Sequence, residues 1–136
     1  MTAVEQVRSL IESRVAAIAD KDVEALAGQF ADDVVLFDAL GPLRDQGIDV
    51  ERARLESWFG AYRTVIDMRI EELEVTASGG LAFGHYVFHI EGTMNDDTEV
   101  SMWVRSTVCC RDTEDGWKIV HEHSSVPFSL PGTAAD

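Results

Sequence analysis

Apolar residues recur at a helical spacing through the first eighteen positions: Val4, Val7, Ile11, Val15 and Ile18. That period predicts an amphipathic helix of about five turns. Thr2, followed three residues later by Glu5, forms a capping box at its start. Asp22 opens a short second helix with Val23, Leu26 and Phe30 inward. A short strand then runs from Val34 to Asp38 and ends at Gly41-Pro42. Asp49 is the expected cap of a third helix, which carries Leu55, Trp58, Phe59 and Tyr62.

From Val65 the period falls to two. Strands are predicted at about 66–76, 81–92, 98–111 and 117–126, with turns at Ser78-Gly79-Gly80, Asn95-Asp96-Asp97 and Asp115-Gly116. Helices first and a strand meander afterwards give an α+β fold: a cone-shaped, curved antiparallel β-sheet wrapped around about three N-terminal helices. Such a cone has an apolar interior suited to a small ligand. Residues 1–130 read as a single domain and 131–136 as a disordered tail.

Two strands carry chemistry on a defined face. In the last one, Trp117, Ile119, His121 and His123 alternate with Lys118, Val120 and Glu122, so strict alternation puts both imidazoles beside Trp117 and Ile119. In strand 81–92, Gly84, Tyr86 and Phe88 oppose Phe83, His85, Val87 and His89. A one-residue slip exchanges the two faces, so the pattern alone leaves open which lines the cone. Apolar residues on both faces require cover on both sides, and a homodimer supplies it.

Composition narrows the partners. The 136 residues include 11 basic and 25 acidic side chains, a net charge of −14, which argues against nucleic acid or an anionic membrane. No apolar run approaches the ~18 residues of a membrane span. Glu5 and Arg8 interrupt any secretion signal, so a cytoplasmic location is expected. Cys109 and Cys110 are neighbours pointing to opposite faces, which suits two reduced thiols rather than a disulfide. No cofactor is expected. Nor is a metal, because no spacing supplies His121 and His123 with a third ligand.

Two segments resemble a known family. Val15-Ala16-Ala17 through Asp22 to Phe30-Ala31-Asp32-Asp33, then Asp38 and Gly41, looks like the helix–helix–strand segment of ketosteroid isomerases. Trp117 to Pro127 is similar to the W-x-x-V-H-x-H-x-S ending of SnoaL-like domains and of the association domain of calmodulin-dependent kinases. Together they resemble the nuclear transport factor 2-like superfamily, whose fold hosts enzymes, binding modules and oligomerisation domains.

The resemblance implies site residues. Asp38 falls where the isomerases keep their general base, although a carboxylate before Gly41-Pro42 equally suits a turn. Arg14 replaces their oxyanion-donating tyrosine; an arginine there stabilises an anion but makes a neighbouring Asp38 a poorer base, and a solvated helix face suits it as well. Val100 to Arg111 contains no counterpart of their protonated aspartate, which argues against steroid isomerisation. Arg105, with Trp103 on its face, either lines the cone or lies on the outer sheet surface. Trp58, Tyr86, His121 and His123 complete the candidate pocket. Two functions fit: an isomerase- or cyclase-type enzyme with Asp38 as base, or a non-catalytic domain for binding a small apolar or carboxylate-bearing ligand or for assembly.

Overall fold

The structure, a computed structural model, describes residues 1–131, so the expected tail lies outside it apart from Pro131. Helix α1 (Ala3–Glu12) begins as expected, with Thr2 Oγ1 accepting from the Glu5 amide at 3.1 Å. The single long helix is broken at Ser13, and α2 (Arg14–Ala19) follows. The Ser13 hydroxyl donates back to the Leu10 carbonyl at 2.7 Å, a local bond that competes with helix continuation. Helix α3 (Val23–Ala27) is capped by Asp22, whose carboxylate accepts from the Ala25 amide at 3.1 Å. Phe30 is not on that helix; it starts strand β1 (Phe30–Phe37).

Strand β2 (Asp45–Gln46) leads into α4 (Ile48–Gly60). The cap of α4 is Gly47, at φ 100°, and not Asp49, which falls in the first turn. A side chain at that φ is strained, which is why glycine occupies the cap. The meander follows as β3 (Asp67–Ser78), β4 (Leu81–Thr93), β5 (Glu99–Thr113) and β6 (Gly116–Ser125).

The sheet order is β2-β1-β6-β5-β4-β3, and every pair is antiparallel except β1 with β6. The sheet is therefore mixed and not purely antiparallel. The parallel pair brings the end of β1 beside the end of β6, with Leu36 opposite Glu122 and Phe37 opposite His123.

The inner face is the one that meets the helices. Gly84 faces Ile11 so closely that a Cβ there would lie 2.9 Å from Ile11 Cδ1. Cross-strand register carries that face from Gly84 to Val108 and Glu122, and from Tyr86 to Ser106 and Ser124. Tyr86 thus points inward, and the open choice between the faces of β4 is settled.

Strict alternation fails on β6. Cys109 pairs with His121 but Cys110 pairs with Ile119, so β6 carries one extra residue, Val120, against β5. Trp117 and Ile119 stay in the core, whereas beyond the bulge Glu122 and Ser124 turn inward and His121 and His123 turn outward. The expectation that both imidazoles share a face with Trp117 is corrected. Among the described residues no helix is long and apolar enough to cross a membrane.

The backbone of β4 also accommodates Tyr62, two residues past the end of α4. A Cβ at Gly92 would lie 2.9 and 3.0 Å from the Tyr62 ring and 3.3 Å from the Val65 carbonyl. Gly92→Ala should therefore destabilise the fold by about 1–3 kcal/mol, as overpacking does. Urea unfolding would read this as a lower midpoint at unchanged slope.

Candidate functional site

Five polar side chains meet on the inner face of an otherwise apolar core. Arg14, 9% exposed, projects from α2 and forms a two-point bridge to Glu122: Nη1 donates to Oε2 at 3.0 Å and Nη2 to Oε1 at 3.1 Å. The same Nη1 donates to the Tyr86 hydroxyl at 3.0 Å. Ser106 donates to Glu122 Oε2 at 3.1 Å, and Ser124 donates to Ser106 at 3.2 Å. Phe30 lies against the guanidinium, its ring centre 5.7 Å from Arg14 Cζ. Among the described residues, the buried Nε of this guanidinium has no hydrogen-bond partner.

The electrostatics follow from this packing. Burial opposes the Arg14 charge, but the carboxylates of Glu122 and Glu51 and the Tyr86 oxygen outweigh it, so its pKa lies above the ordinary arginine value. Burial likewise raises the Tyr86 phenol, against the pull of Arg14. Arg14 therefore does not lie on a solvated helix face, and its charge is not matched by Asp38. Its partner is an acid 108 residues away.

A second cluster surrounds Arg54 on α4. Its guanidinium donates to Glu51 at 2.7 and 3.1 Å, bonds Asp38 at the end of β1, and lies 3.6 Å from Asp45 of β2. Asp38 is thus an ion-pair partner of Arg54 at the rim of the sheet. Glu51 is 4% exposed, and burial pushes its carboxyl up to about 7, with Arg54 and Arg14 pulling down and Glu122 pushing up. Glu51 is therefore the residue through which the two clusters feel one another. Trp58, half-buried on the same helix, stacks on Phe59 with ring centres 5.3 Å apart.

The remaining candidates sit on the opposite face. Trp103 is 45% exposed and packs against His89 and Arg69, and Arg105 donates to Ser125 at 3.1 Å. The reading of Arg105 and Trp103 as cone lining is corrected: their inward neighbours are Met102, Val104 and Ser106. His121 shares a 2.7 Å hydrogen bond with the Val35 carbonyl, and Phe37 meets the rings of His121 and His123 edge-on. An open groove of about 520 Å³ runs over this outer face, lined by Glu74, His85, Arg105, Thr107 and His123. Among the described residues no three His, Cys, Asp or Glu side chains are grouped to hold a metal ion. Cys109 and Cys110 are both free thiols; Cys110 is buried, and burial pushes it up to about 12.

Sequence reasoning missed Glu51, Arg54, Ser106 and Glu122. For Arg14 and Glu51 a signal was present. Positions 7, 11, 14 and 18 make one buried helical stripe, and so do 51, 55 and 59. Each stripe is apolar except for one charge, which is then forced into the core and needs a partner there. Nothing local announced Glu122, because the bulge that turns it inward is a property of pairing.

Removing one partner strands the other as an unpaired buried charge. Arg14→Met or Glu122→Leu alone should cost about 3–5 kcal/mol, and the double variant Arg14→Met/Glu122→Leu should recover most of that loss. Chemical denaturation of the three variants would show it as a strongly non-additive cycle.

Comparison with known proteins agrees with this architecture. A solved NTF2-like protein of unknown function from Pseudomonas putida KT2440 is 31% identical, with a TM-score of 0.86 over 98% of this chain and 92% of that one. A nuclear transport factor 2-like superfamily protein from Salmonella enterica serovar Typhimurium LT2 is 15% identical, with a TM-score of 0.82 over 96% of each chain. A ketosteroid isomerase-like protein from Erwinia carotovora atroseptica SCRI1043 is 18% identical, with a TM-score of 0.77 over 93% of this chain and 97% of that one. None of the curated proteins matches. The family model of the SnoaL-like domain matches residues 7–129, and the chain belongs to that family.

Proposed function

We propose that this SnoaL-like domain binds a small molecule inside the cone, against Arg14 and Tyr86, and that the chemistry it supports is proton transfer next to a carbonyl group. The observation that carries this reading is the Arg14 assembly. A buried arginine held on two sides by Glu122 and Tyr86 retains an Nε–H with no acceptor among the described residues. A carbonyl or carboxylate oxygen is the acceptor that would satisfy it.

Proton abstraction beside a carbonyl breaks a C–H bond. The proton passes to a carboxylate of the Asp38–Arg54–Glu51 cluster, and the electron pair moves onto the carbonyl oxygen. The resulting enolate is favoured by a fixed cation in a site that excludes water. Return of the proton to another carbon completes an isomerisation and restores the carboxylate. Asp38 enters as a member of this cluster through its ion pair with Arg54.

Benzoate and 1-tetralone are suitable probes of the two ligand types. At 100 times its dissociation constant a ligand adds ~2.7 kcal/mol of stability. A rise of several degrees in melting temperature is expected for the wild-type chain with at least one of them, and none for Arg14→Met/Glu122→Leu. Equal shifts in both proteins, or no shift in either, would count against a cone site.

A second observation favours self-association. Phe37, Phe83 and Trp103 are 38%, 45% and 45% exposed on the outer sheet face. We infer that a second copy covers them, giving a homodimer through the outer faces of the sheets. Sedimentation equilibrium should return twice the chain mass for the wild type, and Trp103→Glu should shift it to the monomer. A wild-type monomer at high concentration would sink this reading.

A further inference from the structure

Within the Arg54 cluster three carboxylates from three elements converge on one guanidinium: Asp38 after β1, Asp45 in β2 and Glu51 in α4. A partly buried group of three acids and one base carries excess negative charge, and the cheapest relief is to keep a proton on one acid. Exposure decides which. The side chains of Asp38, Asp45 and Glu51 are 28%, 13% and 5% exposed, so Glu51 has the least water to stabilise its charge. Glu51 also feels a second acid from the inner face, Glu122, and a second base, Arg14.

From this geometry we infer that Glu51 is the proton-exchanging group of the cone site, and that Asp38 is a positioning residue that acts on it through Arg54. The inference rests on the proposed cone site and names which carboxyl in it moves the proton. Nothing in the family resemblance pointed to Glu51; its place on the α4 stripe beside Leu55 and Phe59 does.

The roles follow from the contacts. Arg54 bonds Asp38 and Glu51 at once, so the more of its charge Asp38 engages, the less remains to hold Glu51 ionised. Asp38 thereby keeps Glu51 close to the balance point between acid and carboxylate. A group at that balance gives and takes a proton near neutral pH with little driving force in either direction. Glu51 in its acid form donates the O–H proton to a bound carbonyl oxygen, and its carboxylate accepts a proton from the adjacent carbon. Each transfer leaves the other form of the same side chain.

Carbon-detected NMR of uniformly ¹³C-labelled protein, titrated from about pH 5 to about pH 9, reads the glutamate carboxyl carbons directly. One of them should titrate near neutrality and should vanish in Glu51→Gln. In Asp38→Asn the freed Arg54 should move that midpoint about one unit lower. Stability gives an independent readout with a defined sign. The folded chain binds this proton more tightly than the unfolded chain, so its contribution is present at acid pH and is lost as pH rises through about 7. The wild-type melting temperature should therefore fall between about pH 5 and about pH 8 relative to Glu51→Gln.

A wild-type spectrum in which every glutamate carboxyl is fully ionised by about pH 6 would overturn the inference, and needs no variant to do so. An Asp38→Asn midpoint equal to the wild-type value would overturn the role given to Asp38. The titration requires no ligand. Failure of benzoate and tetralone to bind, with the titration as expected, therefore speaks against the cone ligand alone and leaves Glu51 as the proton-holding group.

Discussion

The bridge between Arg14 and Glu122 is the interaction on which the interior of this protein depends. It ties the second helix to the last strand of the meander across 108 residues of sequence. Two charges in a core cost several kcal/mol of lost hydration each, and only close geometry with further hydrogen bonds offsets that. Each added contact here serves that end. Tyr86 accepts from the guanidinium, Ser106 donates to the carboxylate, Ser124 supports Ser106, and the Phe30 ring lies against the cation. An all-apolar set of the same volume would pack at least as stably. Its retention leaves a fixed cation on the inner face of the sheet.

The two faces of the sheet divide the work. The inner face holds charges in fixed pairs with little water, where a small change in proton occupancy has a large electrostatic effect. The outer face holds all four histidines of the chain together with Phe37, Phe83 and Trp103, in contacts that are open to solvent. The imidazoles placed there take no part in the buried network. The division separates a buried, paired set of charges from an apolar and imidazole-bearing surface.

Much of the architecture was legible because hydrophobic period is local. The helix-then-meander order, the Thr2 and Asp22 caps and the four long strands emerge from spacing within short windows. Features that depend on pairing did not emerge. The parallel β1–β6 pair joins segments separated by α4 and four strands, and no window contains both. The break at Ser13 turns on a single hydroxyl, and the α4 start on the φ of Gly47. Of the residues the family resemblance singled out, Arg14 lies on the inner face and Asp38 at the rim of the sheet, and their partners, Glu122 and Arg54, are set by tertiary contacts that the resemblance does not encode.

The extra residue at Val120 has a consequence for how the His121-Glu122-His123 triplet is read across relatives. A bulge acts as a frameshift of side-chain direction: it leaves the order of residues untouched and exchanges what is inside for what is outside. A relative with the same triplet and an unbulged strand would line its cone with two imidazoles, a base-rich interior able to hold an acid or a metal. This chain lines it with a carboxylate that must be matched by an arginine from a helix. Identical letters thus encode opposite interiors, and the pairing of one residue on the neighbouring strand decides between them.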